Sequence, residues 1–469
     1  MIDEKLVSKV VSEVLSRLNA QPSGKPAPAA PTATQYGVYE NMADAIAAAK
    51  RAFSLLSEAG MLGRRKAIDV IRRLCVENAE AWGRLEFAET KIGREAHKIG
   101  KLRDCIPLVP GVEFLDRRAF SGDSGLTVID AAPWGVIGAI TPSTHSVPTL
   151  AGNAISMIAA GNAVVYNTHP SACKCAAVAV RAFNEAIAKA LGITDLLATV
   201  VKPTLETFDA MVKHPDVALL CVTGGPAVVR AAMASGKRAV CAGPGNPPVV
   251  VDQTADLDRA ARCIIEGAAF DNNLLCIGEK QVFVVASVAD KFIEAMRNAG
   301  AVQLNAGQID ALTKVAFCAK GHVVKDFIGK DAAVLAQAIG LDVTAATMLL
   351  FGETDEAHLF VQEEQMMPFL PIVRVPDVNA AIAAAIRTEH GYKHTGIIHS
   401  RDITALTKMA QEIDTTLFIK NGASMTGLGL GGEGFLSFSI ATPTGEGVTT
   451  PMTFTRSRRC VMVENLNMF

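Results

Sequence analysis

The sequence predicts an α/β protein built on mainly parallel sheets. Beyond Leu126, short apolar runs alternate with segments of helical periodicity. Those runs have no polar face, the pattern of strands covered on both sides. With 469 residues, half apolar and 20% charged, the chain has enough material for two or three domains at ~100–200 residues each.

In chain order, residues 1–19 read as an amphipathic helix. Ile2, Leu6, Val7, Val10, Val11, Val14, Leu15 and Leu18 form one stripe, with Asp3, Lys5, Lys9, Glu13 and Arg17 opposite. Residues 20–35 follow as a Pro/Ala-rich linker that cannot build a core. A lone helix of this length is marginal in water, so it either docks on its own domain or serves as a tag for another protein. Tyr36 to about Cys105 is helical in pattern. Strands are then expected at Val136–Ile140, Ala163–Tyr166, Ala198–Val201, Ala218–Val222, Val249–Val251 and Gln281–Val285. Helices are expected between them, including Ser171–Leu191, Ala227–Ala234 and Leu257–Ala269, and Met452–Val463 reads as a terminal strand that either pairs with another subunit or forms a self-contained edge.

Composition removes several functions. Lys and Arg total 45 against 47 Asp and Glu, and aromatics are 5%, which leaves neither a basic face nor stacking platforms for nucleic acid. No apolar stretch reaches the ~18–20 residues of a membrane span. The N-terminus lacks the uninterrupted apolar segment of a secretory signal. Ten cysteines without framework spacing suit a reducing, intracellular compartment, and nine of them read as small buried hydrophobes.

Four segments carry possible chemistry. Val222-Thr-Gly-Gly-Pro226 joins a strand to a helix and leaves backbone N–H groups for a phosphate; an ordinary tight turn has the same look. In Gly161–Ser171, Pro170 fits the first turn of a helix, with Thr168 or His169 at its cap; a nucleotide ribose also fits this loop. Gly427–Gly434 imitates a dinucleotide fingerprint but no helix follows, so it reads as a loop. Cys276 lies in the loop between the helix Leu257–Ala269 and the strand from Gln281, beside Gly278, where a cysteine can face a cleft. Cys173 and Cys175 have no second ligand pair, so no metal is expected.

Together these segments resemble the aldehyde dehydrogenase superfamily. Pro133-Trp-Gly-Val-Ile-Gly-Ala-Ile-Thr-Pro142, Gly161-Asn162, Thr223-Gly224-Gly225, the Cys276 loop and Glu364-Gln-Met-Met-Pro368 occur in its order and spacing. Thr141-Pro-Ser-Thr144, Ala242-Gly-Pro-Gly-Asn-Pro-Pro248 and Met366-Met-Pro-Phe-Leu-Pro371 are similar to its CoA-acylating, bacterial-microcompartment branch. The resemblance spans roughly Tyr36–Phe469. It implies an aldehyde dehydrogenase-like fold: a Rossmann-type NAD/CoA-binding domain at 36–240, with 117–131 in an oligomerisation extension, a catalytic domain at 241–433, and a return to the cofactor domain and oligomerisation strand at 434–469. A homo-oligomer, dimer or tetramer, follows, as does an encapsulation role for residues 1–19 through a shell protein.

The resemblance also implies the chemistry. Cys276 matches the nucleophile, Thr223, Gly224 and Gly225 the segment beside the NAD pyrophosphate, and His169 and Glu364 the ribose contacts; Thr141, Pro142 and Pro170 complete the cofactor set. Thr144 and His145 stand where an oxyanion-binding Asn lies in hydrolytic relatives. His145 is either a hydrogen-bond donor to the substrate oxygen, an aid to thiol deprotonation, a residue that only shapes the pocket, or a cap of the next helix. Hydrolytic relatives carry a water-activating glutamate where this chain has Cys241-Ala-Gly-Pro244. A thiol of pKa ~8.5 supplies some nucleophile at neutral pH unaided, whereas water needs a base; coenzyme A is therefore the expected acceptor. The expectation is a short aldehyde, propionaldehyde first and acetaldehyde second, converted to acyl-CoA through a thioacyl Cys276. Alternatives are a non-acylating enzyme, a histidinol dehydrogenase-like enzyme (from Ala242–Pro247), or an idle cargo protein that nucleates a shell.

Overall fold

The computed structural model describes residues 36–464; the helix and linker expected at 1–19 and 20–35 lie outside the described residues. Two parallel sheets carry the fold. The first has six strands in the spatial order Val38–Tyr39, Leu197–Val200, Ala163–Thr168, Val136–Thr141, Val217–Thr223 and Arg238–Ala242. The second has seven: Val302–Gln303, Leu350–Thr354, Phe369–Val375, Gln281–Val285, Pro248–Val251, Thr395–His399 and Leu417–Lys420.

The expected strands form within a residue or two of their predicted limits, because each is an apolar run buried on both faces. Val136–Thr141, Ala163–Thr168 and Pro248–Val251 are buried at every position. The first helical stretch, Met42–Glu77, bends at Gly60, whose φ of 62° lies outside the helical range. The short strand Val38–Tyr39 ahead of it had no period long enough to be read.

In the first sheet, Val136–Thr141 has Ala163–Thr168 on one side and Val217–Thr223 on the other. The chain therefore leaves this strand in opposite directions, and a crevice opens beyond the carboxyl ends, at Thr141 and Thr223. After the second sheet the chain returns to the first: Thr444 Oγ1 accepts the Cys241 N–H at 2.9 Å, and Ser439 Oγ lies 2.7 Å from Thr223 Oγ1.

The terminal strand is Thr455–Val463, preceded by a 3-10 turn at Pro451–Phe454. It pairs antiparallel with Gly125–Pro133, which also pairs with Arg118–Gly122. This ribbon keeps large apolar side chains in solvent; Phe120 is 60%, Val461 58% and Val463 67% exposed. No helix among the described residues is long and apolar enough to cross a membrane.

The expectation that nine cysteines are buried needs correction. Cys318 and Cys460 are exposed, and Cys173 and Cys263 partly so. Cys318 lies in a turn after the helix Ala306–Ala316 and Cys460 on the open ribbon; neither place has a second layer to cover it.

Candidate active site

Cys276 stands at the end of an unusual turn. The helix Leu257–Ala269 is capped by Asp256, which accepts the Arg259 N–H at 3.1 Å. Asp271, Asn272 and Asn273 then take left-handed conformations, with φ of 49°, 56° and 65°. Asp and Asn are the non-glycine residues that best tolerate this region. Asn273 Nδ2 donates to the Ala268 and Glu279 carbonyls at 2.9 Å each, and buried Lys280 Nζ donates to the Asn273 carbonyl at 2.8 Å. These bonds close the loop across Cys276, which lies between Asn273 and Glu279.

Cys276 faces a cavity of about 460 Å³ between the crevice of the first sheet and the segments that lead into the central strands of the second. Every site residue expected from the sequence lines it: Thr141, Pro142, Thr144 and His145 after one strand, His169 and Pro170 after the next, Thr223, Gly224 and Gly225 after the third, then Cys276 and Glu364. Strand ends more than two hundred residues apart thus converge on one space.

The junction at Gly224–Gly225 fits a bulky anion. The helix Pro226–Met233 starts there, and a Cβ on Gly225 would meet nothing within 4 Å. Pro226 begins the helix because it has no N–H to satisfy. His169 caps the turn Pro170–Ala172, its Nδ1 accepting the Ser171 N–H at 3.2 Å. Burial and the Lys325 charge hold His169 below the usual imidazole range. The hydroxyls of Thr141 and Thr168 are buried without a partner in the protein, so a ligand with ribose hydroxyls finds polar atoms waiting. These features fit a dinucleotide.

Burial pushes the Cys276 thiol up to about 12; Glu364 adds to the rise, while Lys280 and the N–H groups of Cys276 and Ile277 oppose it. Glu364 is itself raised by burial, against the Lys280 charge and an N–H bond from Gly245. It is the one carboxylate lining the cavity among the described residues. Ala242, Gly243 and Pro244 form the wall where hydrolytic relatives are expected to place their glutamate.

The helix Ser146–Ala159 begins at His145, but the His145 ring makes no capping bond. Glu86 does that work, accepting the N–H groups of Ser146 at 3.1 Å and Val147 at 3.0 Å. The capping alternative for His145 therefore falls. Its ring is buried beside Phe438, with Nδ1 unpartnered.

The chain belongs to the aldehyde dehydrogenase family. The model of that family matches residues 19–432. Among its members, the acetylating acetaldehyde dehydrogenase EutE of Salmonella typhimurium is 46% identical over 99% of both chains. The propionaldehyde dehydrogenase of Rhodopseudomonas palustris, solved with bound CoA and an acylated cysteine, superposes with a TM-score of 0.90 at 44% identity, covering 92% of this chain and 99% of that one. A propionaldehyde dehydrogenase from the fucose-utilisation microcompartment of Clostridium phytofermentans gives 0.91 at 42% identity, covering 92% and 100%.

One buried histidine near the Cys276 loop escaped sequence reading. His394 is fully buried, with Nδ1 2.9 Å from Thr395 Oγ1 and Nε2 unpartnered. Burial, helped by Lys280, lowers it to about 4, so the ring is neutral. It reaches the Cys276 loop only across Gly245, and no local pattern around Lys393-His394-Thr395 announces that.

Proposed function

We propose that the chain is an NAD-dependent, CoA-acylating aldehyde dehydrogenase for short aldehydes, propionaldehyde and acetaldehyde. The carrying observation is the wall at Ala242–Pro244, which brings Cys276 into a cavity with no carboxylate at the water-activating position.

Thr223, Gly224 and Gly225 are assigned to the pyrophosphate, and Thr141, Pro142, His169, Pro170 and Glu364 to the remainder of the dinucleotide. When bound, NAD+ supplies the hydride acceptor that converts the aldehyde adduct into a thioester. Cys276, as the thiolate, adds its Sγ to the carbonyl carbon while the π pair moves to the oxygen; once the adduct has lost its hydride, Sγ holds the acyl group. His145 and the Cys276 N–H face the carbonyl oxygen, with Thr144 fixing the backbone before His145. CoA thiolate then attacks the acyl carbon, the Cys276–acyl bond breaks, and Cys276 departs as the thiolate. Two transfers of moderate difficulty replace one difficult step, and a single methylene in an apolar pocket is worth only ~1–3 kcal/mol, so one site accepts both aldehydes.

Exposed Phe120, Val461 and Val463 on the ribbon support a homo-oligomer. A volatile, reactive aldehyde and the microcompartment relative support a place in a microcompartment lumen, with residues 1–19 as the shell tag. Deleting 1–18 should then release the enzyme from purified shells with its solution activity intact; retention counts against the tag.

The deciding assay follows NADH with propionaldehyde and NAD+, with and without CoA. Sustained turnover only with CoA, giving propionyl-CoA, is expected. Propionate release without CoA would favour a hydrolytic reading with Glu364, the cavity's carboxylate, activating water. No NADH in either arm would favour an idle cargo protein.

A further inference from the structure

Four charged side chains are buried together behind the cavity. Glu86, Lys98, Lys101 and Asp271 are each at most 1% exposed. They come from the helix Ala79–Thr90, the helical run Glu95–Cys105 and the turn Phe270–Asn273. Lys98 Nζ lies 3.3 Å from Glu86 and 3.5 Å from Asp271, and Lys101 bonds Asp271 directly. Two cations and two anions balance, yet desolvating four charges is costly. Apolar residues would fill the same space more cheaply.

The remaining bonds of this cluster run to the segment that carries His145 and tie the Cys276 loop, through Asp271, to the stretch Arg94–His97. Lys98 donates to the Thr144 carbonyl, and Glu86 accepts from Ser146 and Val147, so the backbone is held on both sides of His145. Asp271, five residues before Cys276, accepts the Arg94 N–H at 2.8 Å and donates its own N–H to His97 Nδ1 at 2.7 Å.

We propose that Glu86, Lys98, Lys101 and Asp271 are positioning residues that clamp the His145 segment to the Cys276 loop and set the charge state of the His145 imidazole. The charges that act on that ring are those of Lys101 and Lys98, which repel a proton, and of Asp271, which attracts one; Glu86 pairs with Lys98, and His97 stacks on Phe270 at 4.5 Å. Burial and the two lysines hold His145 well below its usual range. A neutral ring offers a hydrogen bond to the carbonyl oxygen without competing with the thiolate for charge.

The inference rests on the cavity being the aldehyde site, and it fails separately from that reading. Nitrogen-15 imidazole spectra of the full chain need no turnover: the signal lost in His145→Gln should remain that of a neutral ring well below the ordinary pKa of ~6.5. Uptake of a proton near 6.5 overturns the proposal. In turnover assays, Lys101→Met should lower kcat by ~10²-fold while leaving KM for NAD+ unchanged, since a small misplacement of reacting groups costs about that much. It should also move the acid limb of the rate profile upward. A folded Lys101→Met with unchanged kcat and pH profile overturns the proposal. If that variant fails to fold, Lys101→Met/Asp271→Asn, which removes one charge of each sign, carries the kcat readout, while its two opposing effects on the ring should leave the acid limb nearly in place. Inactive Cys276→Ala tests the site reading itself.

Discussion

Gly245 lies against the backbone of Cys276 so closely that a Cβ there would fall 2.6 Å from the Cys276 carbonyl oxygen and 3.0 Å from the His394 ring. The glycine serves proximity rather than an unusual backbone conformation. Gly245→Ala should displace the Cys276 loop and cost ~10²-fold in kcat, as angstrom-scale misplacement does. Parallel measurement of NAD+ binding should show little change, because the Gly224–Gly225 junction is untouched.

Cysteine labelling should invert a simple expectation. A single fast-reacting thiol would mark a nucleophile, but Cys318 and Cys460 are exposed and the Cys276 thiol is pushed up to about 12. Peptide mapping after brief alkylation near neutral pH should find Cys318 and Cys460 modified before Cys276. The Cys276 rate should rise about tenfold per pH unit through the alkaline range, since only the thiolate reacts. Labelling of Cys276 first, at neutral pH, would show that the protein lowers this thiol.

Glu279 predicts a pH dependence of stability. Burial raises its carboxyl from 4.5 to about 7, although Ser424 donates both its N–H at 2.9 Å and its hydroxyl at 2.8 Å. The folded state binds this proton more tightly than the unfolded state, so the stabilisation is full below about pH 4.5 and is lost as pH rises through 7. Its size is on the order of 3 kcal/mol. Glu279→Gln keeps an acceptor for Ser424 without a charge, and should lose less stability than wild type between pH 5 and 8 in denaturant titrations.

Asn162 is a structural keystone rather than a ligand. Its Oδ1 accepts the N–H groups of Trp134 at 2.7 Å and Gly135 at 3.1 Å; its Nδ2 donates to the carbonyls of Met157 at 3.1 Å and Phe454 at 3.0 Å. Asn162→Ala strands these buried groups, each unmade bond costing ~1–3 kcal/mol. Strong destabilisation is expected in denaturant titrations, with KM for NAD+ unaltered in whatever fraction folds.

Much of the fold was legible because its signals are local. An apolar run such as Val136–Ile140 announces a strand buried on both faces, and Leu257–Ala269 announces its helix through side-chain period. Pro170 marked a helical start because a missing N–H is harmless there. The site residues were legible through the resemblance, carried by motifs that sit at strand ends. Sequence reading missed His394, Glu86, Lys98 and Lys101, whose partners lie far along the chain.

The sequence by itself determined six of the buried strands, the helices between them, the glycine junction at Gly224–Gly225 and the absence of a carboxylate beside Ala242–Pro244; the strands from Val302 to Lys420 went unread. The tertiary structure alone decided that Glu86 caps the helix after His145, that Lys98 and Lys101 lie buried against Asp271, and that Gly245 separates His394 from Cys276. The reason is range. Backbone periodicity and turn chemistry act over a few residues, whereas burial and charge pairing depend on which distant segments the sheets bring together.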